Sequence, residues 1–317
     1  MKIIFMGTPE LARVSLEKIN NSKHEILAVV TQPDRQSGRG QKVSFSPVKE
    51  YAVQNNLKVL QYENISDESA LNELKGFGAD IFVVVAYAQK LSDSLLEMAP
   101  YGCINEHPSL LPRHRGSSPL RGAILYGDEK TGVTIMQLSS EWDAGDILLQ
   151  KEIVLDKKET IITLEDKVRP LGAQMIIEVL DGLEKGTIKP VPQDNSKANY
   201  IKQIKKEEGL IDFSKSAEEI ERQIRACIPW PSAFTYLDNK VLKIFDADVL
   251  TAQDFPNAND ESFNPAEVAF SDKNTLIVSC KEGFLKLNEI QIEGKKRMQV
   301  SDFLRGRKIE KGTVFGK

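Results

Sequence analysis

Short apolar runs alternate with helix-like spacing through the first half of the chain. Residues 3–6, 26–31, 59–61 and 81–86 read as strands, the last buried on both faces because it is almost uninterrupted. Between them, 9–19, 47–54 and 70–74 space their apolar residues as helices do. This β-α-β alternation predicts an open parallel sheet with helices on both faces. Residues 102–106 supply a fifth strand, 116–126 a helix, 133–138 and 147–154 two further strands, and 164–183 a long amphipathic helix. After Gly186 the pattern changes. The polar, proline-containing stretch 189–200 reads as a linker, and a helix at 217–226 follows it. Short β-like runs at 233–237, 240–247, 267–269, 275–280 and 284–292 then predict a small antiparallel barrel.

In such a sheet, ligands lie at the carboxyl ends of the strands. The first strand closes on "FMGTPE", where a dinucleotide-binding chain would carry G-x-G-x-x-G; only Gly7 is present, and Pro9 stiffens the turn. No Walker-type phosphate loop occurs either. A nicotinamide cofactor is therefore not expected.

The 317 residues suffice for two domains, and 41% hydrophobic with 28% charged residues is the balance of a soluble protein. No run approaches the roughly 18 apolar residues of a membrane span, and residues 3–6 are too few for a signal-peptide core. Cys103, Cys227 and Cys280 are odd in number and far apart, which suggests reduced thiols in a cytoplasm-like compartment. The net charge of −4 argues against a generally basic coat, but its distribution is uneven. Residues 281–317 hold ten Lys/Arg against five Asp/Glu, and 32–49 hold Arg35, Arg39, Lys42 and Lys49 against Asp34. Such patches suit a polyanion, or are simply solvated faces.

Two of the three histidines fall in "INEHPSLLPRHRG", residues 104–116. At a strand end, Asn105 and His107 project to one face and Glu106 to the other. An amide donor beside an imidazole can stabilise a developing oxyanion and move a proton; the plain alternative is a polar strand end turned by Pro108. In "SSEWDAGDIL", residues 139–148, Asp143 and Asp146 flank an Ala-Gly turn. Paired aspartates there form an Asx-type turn, or present a carboxylate to the same sheet edge as His107. A carboxylate beside an imidazole fixes its tautomer and favours its charged form.

The motifs "GTPELA", "TQPDRQSGRGQKVSFSPVKEYA", "VVVAYAQKLS", "GCINEHPSLLPRHRGSSPLRGAILYGDEKTGVTIM" and "DAGDIL" resemble, in order, the methionyl-tRNA formyltransferase family. "IDFSKSAEEIERQIRACIPWPSAFTYL" and "GKKRMQVSDFLRGRKIEKGTVFG" extend the resemblance through the second half. The resemblance implies an α/β Rossmann-like formyltransferase domain with a mostly parallel sheet at 1–188, a linker at 189–205 and a C-terminal OB-like β-barrel at 206–317. It implies 10-formyltetrahydrofolate as formyl donor, the methionine amine of charged initiator tRNA as acceptor, and no metal. Asn105 and His107 would stabilise the tetrahedral oxyanion, while Asp143 tunes His107 and helps carry the proton. The pterin would lie against the backbone of Ala88, Gln89, Lys90 and Leu91, framed by Ser109, Leu110, Leu111 and Pro112. Arg39 and Lys42 of the basic loop 33–46 would meet the acceptor stem. Lys202 and Lys205 in the linker and Lys295, Lys296, Arg297 and Arg305 in the basic tail would add tRNA contacts. A monomer in a bacterial-type cytoplasm is expected.

The chain departs from the usual pattern at Glu106, Pro108, His114, Glu141, Trp142, Ala144 and Gln203, which bears on the folate loop and the tRNA path. Two other readings use the same residues: a folate-dependent N-formyltransferase for an amino-sugar nucleotide, and an RNA-binding protein with a vestigial enzyme domain. The basic loop and basic C-terminal segment favour tRNA; the intact Asn-His-Asp set favours an enzyme.

Overall fold

The first apolar run forms strand β1 (Lys2–Gly7), in which Ile3, Ile4, Phe5 and Met6 are all fully buried. Side chains alternate across a strand, so four successive buried residues require cover on both faces. The computed structural model describes residues 1–37, 42–251, 253–254 and 262–316. After β1 come α1 (Glu10–Asn20), β2 (Glu25–Thr31), the ribbon β3 (Arg35–Ser37) and β4 (Lys42–Ser44), α2 (Pro47–Gln54) and β5 (Val59–Gln61). They are followed by α3 (Glu68–Gly76), β6 (Ile81–Val85), the short α4 (Asp93–Leu96) and β7 (Cys103–His107). The chain continues through β8 (Arg115–Gly116), α5 (Pro119–Leu125), β9 (Lys130–Gln137), β10 (Ile147–Val154), α6 (Ile161–Glu184) and β11 (Tyr200–Ile201).

Seven strands form one sheet in the order β10-β9-β7-β6-β1-β2-β5. The five from β7 to β5 run parallel, while β9 is antiparallel to β7 and β10 to β9. The sheet is thus mostly parallel with an antiparallel margin. A short link at 138–146 can join β9 to β10 only because they run in opposite directions. One buried cluster on this sheet joins Ile4, Met6, Val30, Phe82 and Val84 to Leu74 and Leu95.

Local choices set the ends. Ser46 caps α2 by accepting from the Lys49 backbone N–H at 3.1 Å, with Pro47 next to it. The helix expected from 116 starts only at Pro119, because Arg115 and Gly116 pair with Tyr200 and Ile201 in a two-stranded sheet. The sequence hides this pairing, because its partners are 85 residues apart.

The described chain divides into two compact units. One comprises Met1–Pro119, Lys130–Val154 and Glu165–Lys202; the other Leu120–Glu129, Leu155–Leu164 and Gln203–Lys317. The stretch 189–202 belongs with the first unit, where Val191 bridges Ile147 and β11 pairs β8.

The second unit contains α7 (Ala217–Ala226), started by a reciprocal capping box between Ser216 and Glu219. Strands β12 (Ala233–Leu237), β13 (Lys240–Leu250), β14 (Val268–Ser271), β15 (Leu276–Ser279) and β16 (Phe284–Ile292) follow. They pair antiparallel in the order β12-β13-β16-β15-β14, with β17 (Met298–Gln299) on β16, as a small barrel requires. Ile220 and Ile224 of α7 share a core with Leu242, Ile244 and Leu287. The basic "tail" is not a loose tail: α8 (Val300–Gly306) buries Val300, Phe303 and Leu304. Among the described residues no helix is long and apolar enough to cross a membrane.

Candidate active site

Strand β7 lies between β6 and β9, with Asn105 opposite Val84 on one side and Met136 on the other. Its carboxyl end therefore meets the end of β6 at one edge of the sheet. Asn105 is half-buried, and its side-chain amide makes no hydrogen bond among the described residues. His107 is buried, with Nε2 2.9 Å from the carbonyl of His114. A carbonyl only accepts, so Nε2 carries a proton. Its Nδ1 then faces Asp143 Oδ1 at 3.8 Å, within ion-pair reach and beyond a hydrogen bond. The two ring nitrogens thus have separate tasks: Nε2 anchors the ring, and Nδ1 faces Asp143.

Asp143 has a left-handed backbone (φ 52°), and its Oδ2 accepts from the Gly116 N–H at 2.7 Å. Gly116 (φ 103°) can carry no side chain here, since a Cβ would sit 2.5 Å from the Ile201 carbonyl oxygen. Pairing of β8 with β11 thereby sets where Asp143 is held.

Glu106 points to the opposite face, as the strand alternation predicts, but it is buried rather than solvated. Its Oε2 accepts from Ser15 Oγ of α1 at 2.6 Å, and Gly172 of α6 closes over Oε1, which has no partner among the described residues. Burial pushes this carboxyl up to about 8.

The expected pterin frame lies at the ends of β6 and β7. Ala86 and Ala88 are exposed with φ of 47° and 67°, on either side of buried Tyr87. Two left-handed alanines in one turn are strained, and strain of this kind gathers at binding sites. The Tyr87 hydroxyl has no partner among the described residues, and burial pushes it up to about 12. Gln89 spends its side chain internally, accepting from Ile65 N at 2.8 Å and donating to the Tyr62 carbonyl at 3.1 Å. Lys90 is exposed and Leu91 buried. Ser109 Oγ donates to the Arg113 carbonyl at 2.7 Å, and Thr134 Oγ1 to the Ser109 carbonyl at 2.6 Å. The Leu111–Pro112 bond is cis, and Gln150 Nε2 donates to the Leu111 carbonyl at 3.0 Å. Ser109 and Leu111 are therefore rigid framing, while Leu110 and Pro112 stay partly exposed.

Residues 1–180 match the family described as formyl transferase, and 203–308 match the formyl transferase C-terminal domain. A methionyl-tRNA formyltransferase of Lachnospira eligens is 47% identical over 316 residues, covering 100% of both chains. One from Alkaliphilus oremlandii is 41% identical with the same coverage. This chain belongs to the methionyl-tRNA formyltransferase family. The fold also resembles WlaRD, a sugar 3N-formyl transferase solved in the presence of dTDP and 5-N-formyl-THF. That likeness has a TM-score of 0.67 at 21% identity and covers 93% of this chain and 99% of that one.

The basic residues expected of a methionyl-tRNA formyltransferase differ in how free they are. Arg39 lies outside the described residues, and Lys42 opens β4. Lys202 and Lys205 are exposed. Arg297 pairs with Glu289 and lies over the Phe245 ring at 4.2 Å, and Arg305 pairs with Asp302. Lys295 and Lys296 are exposed with no acidic partner among the described residues. One cluster, His24, Asp181 and Glu184, has donor atoms close enough for a cation, but Lys23 Nζ already meets Asp181 at 3.0 Å and Glu184 at 2.7 Å.

Sequence reasoning missed Arg115, Gln193 and Asn199. Arg115 is 2% exposed, and its guanidinium donates to Gln193, Asn195 and Tyr200. Gln193 and Asn199 read as linker from their polar surroundings, and only the pairing across the chain ties them to Arg115.

Proposed function

We propose that this chain transfers the formyl group of 10-formyltetrahydrofolate to the methionine α-amine of initiator methionyl-tRNA, in a bacterial-type cytoplasm. The observation that carries the reading is the Asn105 amide, without a partner among the described residues, beside the His107–Asp143 pair, at 3.8 Å from Nδ1 to Oδ1. An amide left free at a sheet edge suits an oxyanion donor, because nothing must be broken before it acts. The exposed, strained backbone at Ala86 and Ala88 suits a flat ring needing a few directed hydrogen bonds.

The uncharged amine attacks the formyl carbon, and charge develops on the formyl oxygen. Asn105 Nδ2 and protonated His107 Nδ1 stabilise it, each well-placed donor contributing roughly 3–4 kcal/mol. Asp143 faces His107 Nδ1 and, through water, carries the proton lost by the amine to the folate nitrogen as its bond to the formyl carbon breaks. Phosphates of the acceptor would meet Arg39, Lys42 and Lys202, with Lys205, Lys295, Lys296, Arg297 and Arg305 on the second unit.

The test follows tetrahydrofolate release from 10-formyltetrahydrofolate with either charged initiator tRNA or an amino-sugar nucleotide as acceptor. Release with the tRNA is expected. Release with the amino-sugar nucleotide alone, or with neither, would overturn the reading.

A further inference from the structure

Gln193 lies between the two stretches that match the formyltransferase family, 1–180 and 203–308. Its side chain is nevertheless tied to the loop bearing Asp143. Its Nε2 donates to the Asp143 carbonyl at 2.8 Å and to the Gly145 carbonyl at 2.7 Å. Its Oε1 accepts from Arg115 Nε at 3.1 Å and Nη2 at 2.8 Å. A guanidinium can only donate, so it must face Oε1, and the amide orientation follows from chemistry alone. Both amide hydrogens are then committed to the 143–145 turn.

We propose that Gln193 is a positioning residue for Asp143, so that the segment read from sequence as a linker sets the geometry of the acid–base pair. The inference rests on the function just proposed. Three observations make the turn dependent on an outside hold. Asp143 is left-handed, which a non-glycine residue adopts at a cost. The turn is pressed against β9, since a Cβ on Gly145 would lie 1.8 Å from the Gln137 carbonyl oxygen. Arg115 is buried and rigid, held also by Asn195 Oδ1 at 2.7 Å and Tyr200 Oη at 3.1 Å, so it anchors Gln193 firmly.

Asn199 acts alongside on the His107 side. Its Oδ1 accepts from His114 N at 2.6 Å and its carbonyl from Arg115 N at 2.9 Å, which fixes the peptide whose carbonyl receives His107 Nε2–H. One strand of chain, 193–199, thereby steadies both partners of the 3.8 Å pair.

The variants that test this are Gln193→Ala and Gln193→Glu. The glutamate still accepts from Arg115 but cannot donate to the turn, so it separates loss of the clamp from loss of the anchor. For both, kcat for formyl transfer should fall about 10-fold to 100-fold, the cost of a misplaced acid–base group. The KM for 10-formyltetrahydrofolate should stay within about twofold, since the pterin frame is elsewhere. Deuterium exchange at the Gly116 amide, which donates to Asp143 Oδ2, should accelerate in Gln193→Glu while melting temperature holds. Unchanged kcat, or a loss of kcat matched by loss of folate binding and melting temperature in both variants, would overturn the inference. Should the parent protein fail to formylate charged tRNA, the proposed function falls, and Gly116 exchange still decides the matter: unchanged protection in Gln193→Glu refutes the clamp.

Discussion

Glu106 and Ser15 meet through a 2.6 Å hydrogen bond in a place sealed from solvent, one residue away from both Asn105 and His107. Burial raises this carboxyl to about 8, and the Ser15 bond opposes that only in part. The folded chain therefore keeps this proton where the unfolded chain, titrating near its ordinary 4.5, has released it. The stability this group contributes is complete below about pH 4.5 and is lost as pH rises through about 8.

Glu106→Gln should accordingly gain on the parent as pH rises. Its neutral amide still accepts from Ser15, and the expected advantage at pH 9 over pH 5 is on the order of several kcal/mol. Thermal unfolding from pH 5 to 9.5 measures it. Parallel Tm profiles for the two proteins would mean that Glu106 is not the titrating group.

His107→Ala and Asp143→Ala should each lower turnover by at least about 10²-fold, as removal of an acid–base group does. Asn105→Ala should cost about as much by removing an oxyanion donor. Tetrahydrofolate affinity should barely move in all three. A variant that loses folate binding yet keeps turnover per bound complex would contradict these roles.

Lys295 and Lys296, free of acidic partners among the described residues, should contribute more to tRNA affinity than Arg297, which Glu289 already engages. The double change to alanine should flatten the salt dependence of tRNA binding by about one unit of slope per lysine. Arg297→Ala should flatten it less. Filter binding across a salt series reads the slopes, and an unaltered slope in the double variant would leave these lysines merely solvated.

Arg39, between two glycines in the basic stretch 33–46, should matter to one tRNA more than another. Arg39→Ala is expected to lower kcat/KM for initiator tRNA and weaken discrimination against elongator acceptor stems, with folate affinity unchanged. Equal losses with both tRNAs would reduce Arg39 to a phosphate contact.

The sheet was legible because period-2 and continuous apolar runs are local signals, and 59–61, 147–154 and 284–292 carry them end to end. Asn105 and His107 were legible for the same reason, being two apart on a strand. What escaped was set at long range. β8 and β11 are two residues each, too short for periodicity, and Gln193 reaches Asp143 across fifty positions. The α8 helix was masked by its surrounding charges, although Val300, Phe303 and Leu304 stand at the i, i+3, i+4 spacing of a buried face. Burial of Glu106 had no sequence signal at all, since it depends on Gly172 arriving over the strand.

The buried Arg115 guanidinium also determines where this chain can be divided. Its three side-chain acceptors, Gln193, Asn195 and Tyr200, all lie beyond the end of the long helix. A fragment ending at 188, where the composition changes, would keep the cation and discard every one of them, leaving an interior charge with no acceptor, a state proteins tolerate poorly. A break after Lys202, where the first unit ends, keeps Arg115 and its acceptors on one piece. Fragment swaps between relatives should therefore carry 189–202 together with the first 188 residues.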